Sequence, residues 1–141
     1  MLGTNNRFRV FVDTNVLISA IHRPDSVSAR LLQLLSTKHK LLLCSFSLTE
    51  VSKVIANRTP EMIAEWDRVL SGLQFELVQT PSPPLTLSVP FIRDPNDIPI
   101  LASAVLAAPD ILVTGDLDFH TAEIKQHFAV YTSGDFLRDF G

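Results

Sequence analysis

Apolar residues occur along this chain in two alternating patterns: short unbroken runs, and longer stretches in which they recur every three or four positions. The unbroken runs are rich in leucine, β-branched and aromatic residues, and they predict five buried strands. These strands cover residues 9–13, 41–44, 75–78, 111–113 and 128–131. Because buried strands that alternate with helices are typical of a parallel sheet covered on both faces, we predict an α/β fold of three layers.

The periodic stretches predict helices between the strands. The first helix opens at Thr14 and Asn15, the second at Ser26, and the third after the segment Ser47-Leu48-Thr49-Glu50. Pro60, which is tolerated in a first helical turn, opens the fourth. Further helices are predicted directly before residue 111 and at residues 121–127 and 133–138. The proline-rich segment 80–90 is predicted to be a surface loop within a single domain that spans residues 1–141.

Composition narrows the class of protein. A chain of 141 residues with 46% hydrophobic residues is long and apolar enough to bury a sizeable core, which excludes a disordered protein. The formal charge of −3 argues against nucleic-acid binding through basic surface alone. The single cysteine excludes an internal disulfide and a multi-cysteine zinc site. With no secretion-signal pattern and no stretch long enough to span a membrane, we expect a cytoplasmic protein without membrane contacts.

Carboxylates stand at both ends of the pair formed by the last long helix and the fourth strand. Asp94 and Asp97 precede the helix, whereas Asp116 and Asp118 follow the strand. A helix that runs antiparallel to the next strand begins beside the end of that strand. Asp97 and Asp116 are therefore expected to meet, although 19 positions separate them. Asp13 directly follows the first strand, and the carboxyl edge of a parallel α/β sheet is where such folds bind ligands.

Each acid also has a purely structural explanation. Asp13 is suited to cap a helix, and Ser47 with Glu50 matches a capping box, in which the glutamate reaches back to the backbone N–H of the cap residue. Asp97 in a first helical turn would interact favourably with the helix dipole. Asp116 and the acid two positions later are residue types common in turns.

Considered together, the acids predict a cation site. Four or five carboxylates at one edge of a sheet would repel one another and raise each other's pKa values. Arg93 is the one basic residue within these acidic motifs. A divalent cation would relieve the repulsion, and a ligand set made only of oxygen atoms favours Mg²⁺ or Mn²⁺ over zinc.

Four motifs occur together along the chain: VFVDTNVLIS, SFSLTE, DPNDIPILASA and ILVTGDLDF. In combination they resemble the PIN-domain family, and within it the toxins of toxin–antitoxin systems of the VapC type. The resemblance extends from Arg9 to about Tyr131, but Asp94 and the middle third, residues 60–90, do not contribute to it. It implies a central parallel sheet of about five strands flanked by helices, and a ribonuclease that depends on one or two Mg²⁺ or Mn²⁺ ions and is commonly a homodimer.

The resemblance also assigns roles to residues of this chain. It implies that the catalytic and metal-binding quartet consists of Asp13, Glu50, Asp97 and Asp116. Asp118 matches a common fifth metal-binding acid. Asn15 and Thr114 match polar positions that orient the first and fourth acids.

Three basic residues are candidates for contacts with RNA phosphates. Lys53 and Arg58 follow Glu50 on the same predicted helix, and Arg93 lies directly before Asp94. We therefore predict a metal-dependent endoribonuclease that hydrolyses RNA phosphodiester bonds as the toxin of a toxin–antitoxin system. Its predicted partners are an RNA substrate, a cognate antitoxin protein and a second copy of the chain.

Other functions are compatible with the same motifs. The chain could be a catalytically inactive PIN-fold protein that binds RNA or acts as a scaffold, or a nuclease outside toxin–antitoxin biology. A phosphatase-like hydrolase with an aspartyl nucleophile is disfavoured, because Asn15 stands two positions after Asp13, where that class has a second acid.

Overall fold

The structure is a computed structural model that describes residues 7–82 and 88–141. Its strands are β1 (Arg9–Val12), β2 (Lys40–Cys44), β3 (Phe75–Val78), β4 (Ile111–Val113) and β5 (Ala129–Tyr131). They form one sheet in the order β3-β2-β1-β4-β5, and every neighbouring pair is parallel. The predicted α/β fold is confirmed, and each predicted strand is correct to within one residue at either end.

Seven α-helices flank the sheet in the described part of the chain. They are α1 (Thr14–His22), α2 (Val27–Lys38), α3 (Ser45–Arg58), α4 (Ile63–Gly72), α5 (Ile98–Ala107), α6 (Ala122–Lys125) and α7 (Ser133–Phe140). Four of these helices differ from the prediction by two or more residues at one end. The helix α3 begins at Ser45, Pro60–Met62 forms a 3₁₀ turn ahead of α4, α6 ends at Lys125, and α7 continues past residue 138. Residues 83–87 of the predicted loop lie outside the described residues.

The two faces of the sheet bury separate apolar clusters because successive side chains of a strand point to opposite sides. In β1, Val10 and Val12 pack on the face covered by α1, α2 and α7, where Leu17, Leu31 and Phe136 are buried. Phe11 points to the other face and packs with residues of α5 and α6 such as Leu101 and Ile124. The sheet is therefore the middle layer of three.

The order of the strands defines where a ligand would bind. The chain passes from β1 to β2 and β3 on one side of the sheet, and then returns to place β4 on the other side of β1. Open α/β sheets bind ligands outside the carboxyl ends of the strands at such a reversal. Asp13 directly follows β1 and Thr114 directly follows β4, so the sheet brings both residues to this position.

Candidate metal centre

Asp13 lies at the centre of the site and is almost fully buried, with 2% of its surface exposed. Its backbone is extended at the start of α1, and its carboxylate caps the helix by accepting from the Val16 N–H at 3.3 Å. The Thr114 hydroxyl donates a hydrogen bond to the other carboxylate oxygen. The structure therefore confirms the predicted cap, and it also fixes the orientation of this acid.

Thr114 connects two of the acids. Besides donating to Asp13, its hydroxyl accepts from the Asp116 N–H at 3.0 Å, and the side chain is fully buried. The Asp116 carboxylate then accepts from the Asp118 N–H at 2.9 Å and caps the short 3₁₀ turn Leu117–Phe119. The His120 ring lies 2.7 Å from the Thr114 carbonyl oxygen and closes the turn on its other side. Both predicted turn acids therefore lie in an ordered turn after β4.

Asp97 reaches the same place from α5. It ends the 3₁₀ turn Pro95–Asp97 and lies at the N-terminus of α5, where Pro99 is accommodated in the first turn. Asp94 caps the 3₁₀ turn by accepting from the Asn96 N–H at 3.0 Å. Carboxylate oxygens of Asp97, Asp116 and Asp118 all lie within 4.8 Å of one another. The expected meeting of Asp97 with Asp116 is thus observed.

The pKa values of two of the acids are raised. Desolvation and then the negative charges of Asp116 and Asp94 raise the pKa of Asp97 from 3.8 to about 7. Burial raises the pKa of Asp13 to about 6 and the charge of Asp116 adds to this, whereas the hydrogen bond from Thr114 opposes it. Acids that keep protons near neutral pH because of burial and neighbouring negative charge mark a site that would be stabilised by a cation.

Arg93 is paired with one acid of the cluster. Its guanidinium donates to both carboxylate oxygens of Asp118, at 2.9 and 2.8 Å, and this interaction lowers the pKa of Asp118. The Arg93 side chain is still 76% exposed. We predicted Arg93 as a contact for RNA phosphates, and the structure adds that it neutralises part of the acidic cluster.

Glu50 reaches the site by a contact that the sequence did not indicate. The capping-box interpretation is wrong, because α3 begins at Ser45 with Cys44 as its cap residue, and Ser47 is a buried residue inside the first turns of the helix. Glu50 instead accepts from the Thr14 hydroxyl at 2.9 Å, which ties α3 to the residue after Asp13. Thr14 also lies 2.9 Å from the Ser47 hydroxyl.

The remaining predicted residues lie at the surface. Lys53 and Arg58 are exposed on α3, with Arg58 in its last turn. The Asn15 side chain is exposed, and its backbone N–H contributes a hydrogen bond that lowers the pKa of Asp13. Their roles as site residues remain predictions.

Two side-chain contacts near the site were missed by sequence reasoning. Thr14 was considered only as the start of a helix, although it is buried and donates to Glu50. Ser103 and Thr80, whose hydroxyls lie 2.9 Å apart, link α5 to the end of β3. The sequence did contain a signal for the second contact. Ser103 is a polar residue within the apolar α5, at a position that the helix pattern predicts to be buried.

The residues fit a hard divalent cation. All donors in the cluster are carboxylate oxygens, which Mg²⁺ and Mn²⁺ prefer. Two oxygens that bind one Mg²⁺ on opposite sides lie roughly 4 Å apart, so the cluster needs only small side-chain rotations to surround an ion. Asp97, Asp116 and Asp118 are the closest set, and Asp13 is held beside them by Thr114.

Comparison with known proteins identifies the family. A family model described as "PIN domain" matches residues 9–118, so the chain belongs to the PIN-domain family. A comparison with curated proteins gives no significant match.

Two solved structures share the fold at low sequence identity. One is VapBC2 from Rickettsia felis bound to a DNA fragment from their promoter, with 17% identity and a TM-score of 0.60 over 87% of this chain and 97% of that chain. The other is DNA-bound VapBC from Salmonella typhimurium, with 16% identity and a TM-score of 0.60 over 89% and 98% of the two chains. In the described residues, no helix combines the length and apolar character needed to cross a membrane.

Proposed function

We propose that this chain is a metal-dependent endoribonuclease that hydrolyses phosphodiester bonds in RNA. One observation carries the proposal: Asp97, Asp116 and Asp118 converge beside buried Asp13 at the reversal of the strand order. Membership of the PIN-domain family supports the same function. Asp13 and Asp116 are held by hydrogen bonds and Arg93 pairs with Asp118 alone, so the site keeps the excess negative charge expected where a divalent cation binds.

The metal would be held by carboxylates from three parts of the chain. We assign Asp13, Asp97 and Asp116 as ligands, directly or through water, with Asp118 and Glu50 available to a second ion. When bound, one or two Mg²⁺ or Mn²⁺ ions would acidify water, neutralise the scissile phosphate and stabilise the leaving oxygen.

The protein's own residues orient these groups and the substrate. Thr114 fixes the Asp13 carboxylate and the backbone of Asp116, and so orients two metal ligands without binding the metal itself. Thr14 holds Glu50 at the same edge of the sheet, where Glu50 orients the attacking water or binds the second ion. Lys53 and the exposed guanidinium of Arg93 bind RNA phosphates beside the acids, and Arg58, in the last turn of α3, binds a phosphate farther along the strand.

We further propose that the chain is a toxin, that it acts in the cytoplasm as a homodimer folded as one domain over residues 1–141, and that a cognate antitoxin inhibits it. The similarity in fold to VapBC structures supports this choice over a nuclease of another system. Expression alone should arrest growth, and expression with a small DNA-binding protein encoded beside the gene should restore it. Growth arrest that the neighbouring protein does not relieve would contradict the antitoxin assignment.

The nuclease proposal is tested by cleavage of labelled single-stranded RNA with Mn²⁺, Mg²⁺ or EDTA. Wild-type protein should cleave only with metal, and Asp97→Asn should lose at least about 100-fold in rate because a ligand is removed. The matched control is Asp110→Asn, which changes an acid at the opposite edge of the sheet. Binding of RNA without metal-dependent cleavage would overturn the proposal in favour of an inactive RNA-binding protein.

A further inference from the structure

A cavity of about 390 Å³ opens between the start of α3 and Thr80, two residues after the end of β3. Its lining residues are Ser45, Phe46, Thr49, Glu50, Lys53 and Thr80. Five of these belong to α3 and recur at spacings of three or four positions, so they form one face of the helix. A cavity of this size lies within the range of sites that bind small ligands.

The cavity adjoins the acidic site through Glu50. Glu50 lines it, and the same carboxylate accepts from Thr14, the residue next to Asp13. The carboxyl end of β2 lies between β1 and β3 in the sheet, so the cavity flanks the acids on the side away from β4. A linear polymer bound across the carboxyl edge of the sheet would therefore occupy both places.

The wall of the cavity is held rigidly by its own hydrogen bonds. The Thr80 hydroxyl accepts from the Phe46 N–H at 3.1 Å, and the Thr80 N–H donates to the Ser45 hydroxyl at 3.0 Å. The Ser103 hydroxyl lies 2.9 Å from the Thr80 hydroxyl and links it to α5. The Ser45 hydroxyl accepts from the Thr80 N–H, and its own proton has no acceptor among the described residues, so it can be donated into the cavity.

Lys53 supplies a positive charge at the cavity. It is exposed, it lies one helical turn after Glu50, and no carboxylate of the described chain lies within 4 Å of its ammonium group. Arg93, on the far side of the acids, is by contrast already engaged by Asp118. Lys53 is therefore a cation beside the site whose charge is available to a phosphate group.

We propose that this cavity binds one nucleotide of the RNA strand, next to the phosphate that is cleaved. Lys53 contacts the phosphate of that nucleotide, and the hydroxyls of Ser45 and Thr49 contact its sugar, whose 2′-hydroxyl both donates and accepts hydrogen bonds. This inference rests on the proposed ribonuclease function and extends it by locating where the substrate lies relative to the acids.

The test compares two cavity variants of the full chain with a matched control. Lys53→Gln removes the charge, and Thr49→Phe fills the cavity from an exposed helical position. Lys40→Gln removes an exposed lysine at the opposite, amino-terminal end of β2. Cleavage of a short single-stranded RNA with Mn²⁺ gives kcat and KM, and binding of the same RNA with Ca²⁺ in place of Mn²⁺ gives affinity without relying on turnover.

Lys53→Gln should raise KM and weaken binding about tenfold, the effect of one charge-assisted contact. Thr49→Phe should raise KM and weaken binding by at least as much because the ring occupies the cavity, and kcat should change little in both variants. Lys53→Gln should also reduce the dependence of binding on salt by about one phosphate contact. Lys40→Gln should behave as wild type. If wild type cleaves and both cavity variants match it in KM and affinity, the nucleotide site is wrong and the ribonuclease stands. If wild type neither cleaves nor binds RNA, both proposals fail.

Discussion

The two edges of the sheet differ in how completely their charged side chains are paired. At the amino edge, the Arg9 guanidinium donates to the carbonyl oxygens of Ala107 and Ala108 and pairs with Glu76 at 3.2 Å. The Arg9 N–H donates to the Asp110 carboxylate at 2.8 Å. At the carboxyl edge, three carboxylates share a space less than 5 Å across, and Arg93 neutralises one of them. The charges of Arg9, Glu76 and Asp110 are matched at the first edge, whereas negative charge is left in excess at the second.

This difference indicates where a ligand is needed. At the amino edge, Arg9, Glu76 and Asp110 find partners within the chain, so the fold itself accounts for these three charges. At the carboxyl edge, desolvation and then the neighbouring negative charges raise the pKa of Asp97 to about 7, which is a free-energy cost to the folded chain at neutral pH. A bound divalent cation would remove that cost.

The largest change in stability and activity together is expected for Thr114→Val. The substitution keeps the shape of the side chain but removes the donor to buried Asp13 and the acceptor for the Asp116 N–H. Leaving these groups unpaired should lower the free energy of unfolding by about 1–3 kcal/mol. Cleavage should fall about 10–100-fold, because the acids lose their orientation. Denaturant unfolding and RNA cleavage measure the two effects.

Thr114→Ser is the matched control, because it retains the hydroxyl at the same position. It should keep most of the activity that Thr114→Val loses. Equal activity in the valine and serine variants would show that the hydroxyl does not position the acids.

Without metal, the protein should lose stability as the pH rises from about 4 to about 7. Asp97 and Asp13 have native pKa values of about 7 and about 6, above the value of 3.8 for an unperturbed aspartate. In this range the native state holds more protons than the unfolded chain, so raising the pH favours unfolding. Thermal unfolding in EDTA should show a declining Tm, and Asp97→Asn should flatten the decline and raise Tm at pH 8 by a few °C.

The same pH series can also contradict the role of Asp97. A Tm that changes with pH identically in wild type and Asp97→Asn would mean that loss of the Asp97 proton does not cause the decline in stability. Adding Mn²⁺ at pH 8 provides the complementary check, since it should raise Tm in wild type by more than in the variant.

The smallest effect is expected at the amino edge, at Ala108. This residue ends α5 with φ 48° and ψ 58°, a left-handed conformation that is strained for residues with a Cβ atom. Ala108→Gly should therefore raise the free energy of unfolding by about 0.5–1 kcal/mol without altering cleavage. Ala107→Gly, one position earlier within the helix, should instead destabilise the protein. Urea unfolding of both variants measures the contrast, and stabilisation by both would argue against relief of backbone strain.

Much of the fold was predictable from the sequence because the strands are continuous apolar runs. β4 is buried at all three positions and β1 at its last three, as a central parallel strand requires. The approach of Asp97 to Asp116 also followed from local order, since one helix and one strand separate them. These features depend on neighbours along the chain.

The contacts that the sequence did not reveal join distant segments. Glu50 bonds to Thr14, 36 positions away, and the local match to a capping box gave the wrong partner. Arg93 and Asp118 are 25 positions apart, and the proline-rich segment gave no periodic pattern from which to place the arginine. Side-chain pairing of this kind depends on how layers pack, which hydrophobic periodicity does not specify.

The central claim is that the acids of the carboxyl edge bind a divalent cation, and calorimetric titration with Mn²⁺ tests it most directly. Wild type should bind Mn²⁺, and Asp116→Asn should weaken binding about tenfold or more because it removes a carboxylate from the cluster. Glu76→Gln, which changes an acid at the amino edge, should bind as wild type does. Wild-type protein that binds no Mn²⁺, or equal binding by all three proteins, would contradict the account.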